Sequence, residues 1–311
     1  MNLLAAALAL LLAVPAPDPL VKREIDAFVG NLQSARLAEA YAQMTDDARK
    51  AFGRAQFDAY VASRRRALGA IAGVENIRPS EIVEAEHGMT IYEADVRFEK
   101  GTSPAWFVLS HPEAGWRVVK FGLNLPAGVA AAPDPAEILP VVNEMMSVVK
   151  SDGLLAIAGR FSEKDLAAVK QTPEMVRAAM EMTAAILGPL ESYTVGAPEA
   201  DSEAGCNVVR GQGTFRYGPA PLQIRLCWSD GVWRLVHAQI TPQIDPVVLE
   251  RSIAYALKGR VTAKCPHGAA LPVGGQIVCR LTAEGEADRD ATILRTEESA
   301  WKIVALAPVK K

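Results

Sequence analysis

Residues 98–120, FEKGTSPAWFVLSHPEAGWRVVK, and residues 215–237, FRYGPAPLQIRLCWSDGVWRLVH, superpose without a gap when the first stretch is moved 117 positions along the chain. Phe98 falls on Phe215, Gly101 on Gly218, Pro104 on Pro221, Leu109 on Leu226, Trp116 on Trp233, Arg117 on Arg234 and Val119 on Val236. So many matches at one offset mark an internal repeat, which governs how the rest of the chain divides. Apolar residues alternate in both copies: Ala105, Phe107 and Leu109 in one, Leu222, Ile224 and Leu226 in the other. Residues two apart in a strand share a face, so these rows predict the core side of a sheet. The opposite face carries Trp106, Val108 and Ser110 in the first copy, against Gln223, Arg225 and Cys227 in the second.

Outward from this core, the first copy predicts strands at Glu81–Ala85, Thr90–Phe98, Ala105–Ser110 and Trp116–Leu123, with turns at His87-Gly88, Gly101 and Gly115. Helical patterns precede the strands, at Ala35–Gln43 and Gln56–Leu68 in the first copy. In the second they run over Ala136–Lys150, Ser162–Lys170 and Thr172–Leu187, with strands from Tyr193. Asp18-Pro19, Asp134-Pro135 and Asp245-Pro246 each open an apolar-periodic run; Asp at the N-cap with Pro at the first helical position is a helix start. Glu137 after Asp134, and Asp165 after Ser162, add capping boxes. Leu68-Gly69 and Leu187-Gly188 close helices at an offset of 119. Arg64, Arg65 and Arg66, just before Gly69, read as a solvated helix end complementing the dipole. The expected organisation is α+β: a signal peptide at 1–16, a first module at 18–126, a second at 134–243 and a small domain at 245–311.

Helices first, a Leu-Gly exit, a long hairpin and a last strand opening with Gly-Trp-Arg-Val: this order resembles the cystatin-like, or ketosteroid-isomerase-like, roll. The resemblance covers residues 18–126 and 134–243 and implies two tandem rolls, each a curved antiparallel sheet wrapping a helix. Residues 245–311 are similar to a small two-cysteine domain of exported bacterial proteins, on Cys265-Pro266, Gly274-Gly275 and the strand at Cys279. Neither resemblance implies an activity.

Composition narrows the classes. With 311 residues, half of them hydrophobic and 22% charged, the chain is globular in make-up, and a net charge of -3 provides no basic footprint for nucleic acid. The opening MNLLAAALALLLAVPA holds an apolar run from Leu3 to Val14, too short to span a bilayer and followed by small residues at Val14 and Ala16. It reads as an export signal cut after Ala16, leaving no membrane span. Cys206, Cys227, Cys265 and Cys279 show no C-x-x-C spacing. They allow three connectivities, of which the two local bridges, Cys206–Cys227 and Cys265–Cys279, each bracket a hairpin. Export and disulfides together predict a periplasmic or secreted protein.

No phosphate loop, nucleophile elbow or H-E-x-x-H is present. His87, His111 and His237 lack an identifiable acid-base partner, and His267 lacks a set of zinc ligands. The acidic runs Glu81, Glu84, Glu86 and Glu284, Glu286, Asp288, Asp290 do not reproduce a calcium loop and read as solvated edges. Met145, Met146, Met175, Met180 and Met182 read as core filler. The expectation is a non-catalytic binding protein without cofactor or metal, whose partner is another exported protein or a small apolar ligand. The alternatives are an apolar-ligand carrier, or an isomerase or dehydratase acting in the cone of a roll. The candidate interface is Trp106 with Val108, which present apolar surface where the second copy has Gln223 and Arg225.

Overall fold

The computed structural model describes residues 17–80, 88–111, 115–161, 166–167, 170–267, 271–297 and 300–309. The expected signal peptide, the strand and acidic run at 81–86, His87 and the Ser162–Asp165 capping box lie outside the described residues. Among the described residues no helix is long and apolar enough to cross a membrane. Contacts group the chain into two compact units, one up to Asp134 together with Asp230–Val232, the other Pro135–Ser229 with Trp233 onwards.

In the first unit, Asp18 caps helix α1 (Pro19–Gln33), its carboxylate accepting from the Leu20 N–H at 2.8 Å. One stripe of α1, Val21, Ile25, Phe28, Val29 and Leu32, is buried. Two short helices follow, α2 (Leu37–Ala42) and α3 (Asp46–Phe52), then α4 (Arg54–Leu68). The α4 helix ends at Gly69, whose φ of +84° and whose contact with Glu99 both exclude a Cβ. Strands β1 (Ile71–Pro79), β2 (Met89–Phe98), β3 (Gly101–Ser110) and β4 (Arg117–Leu123) form an antiparallel meander in chain order. Ala105, Phe107 and Leu109 are buried as the alternation requires. Against them packs an aromatic cluster in which Phe28 meets Phe107 and Phe121 edge-on, at 6.2 and 5.0 Å between ring centres.

Two expectations are corrected here. The strand entering the sheet after Gly69 is β1, which the alternation does not announce. Shifts of register between Ile71 and Gly73 and between Glu75 and Arg78, with Asn76 at φ +54°, break its period of two. The arginines before Gly69 are not uniformly solvated: Arg64 is buried, its Nε donating to the Leu123 carbonyl at 2.8 Å and its guanidinium 4.3 Å from the centre of the Tyr60 ring. Tyr60 grips the same residue, its hydroxyl accepting from the Leu123 N–H at 2.7 Å.

In the second unit a 3-10 turn (Pro135–Glu137) leads into α5 (Ile138–Asp152). The expected capping box at Asp134 and Glu137 is not what starts this helix, which has Glu137 as N-cap with no side-chain cap. Pro140 explains the shift. In a helix begun at Pro135 it would fall in the second turn, where its missing N–H breaks a bond, whereas from Ile138 it lies in the first turn, where no donor is needed. A second 3-10 stretch (Leu154–Arg160) and α6 (Pro173–Leu187), capped by Thr172, precede the sheet. Its strands are β5 (Leu190–Val195), β6 (Glu199–Ala200), β7 (Cys206–Phe215), β8 (Gly218–Ser229) and β9 (Val232–Ile240), in the order β5-β7-β8-β9 with β6 beside β7. Met145, Met146 and Met180 are buried as expected of core filler, but Met175 and Met182 are 55% and 44% exposed, because they lie on the side of α6 away from the buried Val176 and Met180.

The same unit ends with α7 (Pro246–Ala256) and a meander of β10 (Val261–Lys264), β11 (Gln276–Ala283), β12 (Arg289–Arg295) and β13 (Trp301–Pro308). Asp245 caps α7 on the Val248 N–H at 2.8 Å. Arg251 of α7 donates to the carbonyls of Ala185 and Ile186 at the end of α6, and its guanidinium lies 3.7 Å from the centre of the Tyr217 ring.

Both sheets repeat several contacts at the spacing seen in the sequence. Phe98 pairs with Gly101 and Phe215 with Gly218. Lys100 N–H donates to Leu68 O at 2.9 Å, and Tyr217 N–H to Leu187 O at 3.1 Å. Isolated parallel bridges join Met44 to Val118 and Phe161 to Leu235. The buried stripe of α1 recurs 117 positions on as Ile138, Val142, Met145, Met146 and Val149 of α5.

Candidate functional site

The first unit carries a polar cleft of about 350 Å³, built from three separate segments. Leu20, Arg23 and Glu24 reach it from the first turns of α1, flanking the buried stripe. Gln43, just past α2, is placed by the Met44–Val118 bridge: the Val118 N–H donates to the Gln43 carbonyl at 3.1 Å and the Thr45 N–H to the Val118 carbonyl at 2.9 Å. That pairing sets Gln43 beside Arg117 at the start of β4. His111 and Trp116 complete the lining, their rings edge-on at 5.0 Å.

A relay of side-chain hydrogen bonds holds the cleft's carboxylate. Arg36 donates to Asn31 at 3.0 Å, Asn31 to Gln43 at 3.0 Å, and Gln43 to Glu24 Oε1 at 3.2 Å. Burial pushes the Glu24 carboxyl above the usual glutamate value, and the Gln43 hydrogen bond and the charges of Arg117 and Arg23 pull it part of the way back. Among the described residues neither the Arg23 nor the Arg117 guanidinium donates a hydrogen bond or pairs with a carboxylate within 4.0 Å. Two guanidiniums and the second oxygen of Glu24, all on residues that line the cleft, therefore keep hydrogen-bonding capacity in hand.

Trp106 and Val108 lie on the face of β3 opposite the buried Ala105, Phe107 and Leu109, both half-buried. Ile91 and Lys120 flank Val108, and Glu93 and Gly122 flank Trp106. The indole covers Gly122 and has the Lys120 ammonium 5.8 Å from its ring centre. On the second sheet Arg225, the counterpart of Val108, is occupied within its own unit by Asp201 and Glu203. Burial opposes the ionisation of Asp201, but hydrogen bonds from Ser202 and Arg225 outweigh it and hold its carboxyl below the usual value.

Cys206 is bonded to Cys227, its partner in register across β7 and β8, and Cys265 to Cys279, so both local disulfides form. His267 is exposed and 3.9 Å from Glu250, whose carboxylate accepts from the Cys265 N–H at 2.7 Å. His237 is half-buried on β9. No group of three or more potential metal ligands occurs among the described residues, those of the acidic run from Glu284 to Asp290 included.

Of the residues singled out from sequence, only His111, Trp116 and Arg117 reach the cleft. Glu24, Arg23 and Gln43 went unnoticed, because no spacing connects residues that meet only through the Met44–Val118 pairing.

These elements define an α+β protein of helices and antiparallel meanders, stapled by two disulfides of the kind that persist in oxidising compartments. No protein-family model and no curated protein matches the chain. Among solved structures it is similar to a cystatin-like protein from Ruminococcus gnavus ATCC 29149, at 10% identity over 76% of this chain and 95% of that one, with a TM-score of 0.31.

Proposed function

We propose that the chain is an exported, non-catalytic binding protein made of two copies of a cystatin-like roll and a small disulfide-bridged C-terminal domain. It meets another exported protein through the outer face of the first sheet, at Trp106 and Val108. The observation carrying this reading is the contrast between the two outer faces. Where the second sheet ties Arg225 to its own Asp201 and Glu203, the first presents a half-buried apolar strip of Ile91, Trp106 and Val108. Contacts repeated at one offset support the duplication, and the disulfides support export. The interior faces of the first sheet are occupied by Phe28, Phe57, Phe107 and Leu109, which favours a surface contact over a ligand in the cone.

Compartment and contact are tested together. In the native host, intact mass and thiol labelling of cell fractions should find a chain shortened by residues 1–16 with no reactive thiol before reduction. A photo-cross-linking residue at Val108 should trap one defined envelope or secreted protein, and the same residue at Arg225 should not. Equal adducts at both positions, or none at Val108, would overturn the contact; reactive thiols in a full-length chain would overturn export.

A further inference from the structure

We propose that the polar cleft of the first unit binds a small zwitterion of the free α-amino acid class, a site independent of the sheet face considered above. The cleft offers each part of such a molecule a partner. Arg23 and Arg117, which act on Glu24 through their charge but have no carboxylate within 4.0 Å among the described residues, supply a pair of guanidiniums for the ligand carboxylate. Glu24, fixed through Oε1 by Gln43 at 3.2 Å, keeps its other oxygen for the ammonium. Trp116 and Leu20 give the ligand side chain an apolar wall.

The surrounding structure fixes part of this arrangement before any ligand arrives. The Arg36–Asn31–Gln43 relay orients the acid and the Met44–Val118 pairing positions the backbone at Arg117, so the ordering left at binding falls on the two arginine side chains. A volume of about 350 Å³ lies at the small end of ligand pockets and suits a single free amino acid. The corresponding positions of the second unit do not repeat the arrangement. Val141 stands in place of Glu24, and Arg160 in place of Gln43, with its guanidinium 3.4 Å from Glu144. The ligand class is thus a property of the first unit alone.

The test titrates the chain lacking residues 1–16 with L-phenylalanine, its N-acetyl derivative and its amide, followed by calorimetry and by the Trp116 indole N–H in NMR spectra. The free amino acid should bind and shift the Trp116 signal, and removing either ligand charge should weaken binding about tenfold or more. Glu24→Gln should lose the preference over the N-acetyl derivative, and Arg117→Gln the preference over the amide. Because the ligand derivatives test wild-type protein, a variant that fails to fold does not blunt the result. Equal binding of the N-acetyl derivative would mean a plain anion site, equal binding of the amide a plain cation site, and no binding of any probe an empty surface cleft; each overturns the proposal.

Discussion

Trp106 on β3 stands directly opposite Gly122 on β4, and its indole lies so close over the glycine that a Cβ there would fall 2.4 Å from the ring. Part of the aromatic surface on this face therefore covers the chain's own backbone, in the manner of a cross-strand aromatic shielding a glycine. Gly122→Ala should displace the indole and cost about 1–3 kcal/mol through overpacking, read by denaturant unfolding and a shifted Trp106 indole N–H signal. The same geometry makes Trp106→Ala destabilising whether or not a partner exists, which is why Val108 is the position for testing the interface. An unchanged Trp106 signal in Gly122→Ala would mean that the indole does not rest on the glycine.

Arg64 and Arg66, two residues apart on α4, should differ sharply. Removing the Arg64 guanidinium strips a buried carbonyl of a charged donor and bares the Tyr60 ring, so Arg64→Ala should cost about 3 kcal/mol. Arg66 is exposed, with the Ala132 carbonyl at 3.3 Å and Asp134 at 3.8 Å among its partners, so Arg66→Ala should stay within about 0.5 kcal/mol. Urea unfolding of the two variants decides, and equal losses would contradict the placement of Arg64.

These cases show where the sequence is readable. Ala105, Phe107 and Leu109 with their counterparts Leu222, Ile224 and Leu226 announce their faces, because every second side chain of an unbroken strand returns to one side. Hairpin glycines and the Asp-Pro starts at Asp18 and Asp245 act over a few residues and are equally legible. The β1 strand hides because bulges break its alternation, and α5 starts late because Pro140 forbids an earlier turn. Arg64 reads as solvent-facing because its partners Tyr60 and Leu123 are decided by tertiary packing. The cleft is the extreme case, its acid and its second arginine lying more than ninety residues apart in the chain.

The disulfides should matter separately. Their sequence separations of 21 and 14 residues correspond to about 3 kcal/mol each on the chain-entropy model. Replacing Cys206 and Cys227 together by Ala should lower the stability of the second unit by that amount and leave Cys265–Cys279 intact by non-reducing peptide mass mapping. Free thiols at Cys265 and Cys279 in the variant would show that the two bridges do not form independently of each other.

Arg251 holds α7 to the end of α6, where its guanidinium meets the carbonyls of Ala185 and Ile186 and the favourable end of the helix dipole. Arg251→Ala should cost about 2 kcal/mol. Arg251→Lys should recover only part of this, since an ammonium keeps the charge but neither forks to two carbonyls nor stacks flat on Tyr217. Near-ultraviolet circular dichroism of the Trp228–Trp233 pair, whose ring centres are 5.4 Å apart and of which Trp233 is buried, reports unfolding of this unit. Full rescue by lysine would reduce the role of Arg251 to charge alone.

Glu24 provides the pH signature of the cleft. Burial raises its carboxyl above the ordinary glutamate value, so the folded chain holds this proton more tightly than the unfolded one. The resulting stability is fully present below the unfolded value and is lost as pH rises through the folded one. Carbon-detected NMR titration should place the Glu24 midpoint on the high side of the exposed glutamates. Gln43→Ala should raise it further by deleting the hydrogen bond to the carboxylate, and Arg117→Gln should do so by removing a favourable charge. A bound ammonium would act in the opposite direction, so saturating free amino acid should lower the midpoint while its N-acetyl derivative should not. A midpoint at or below that of exposed glutamates in the unliganded protein would mean that Glu24 is not desolvated, and the cleft could not then hold the carboxylate as described.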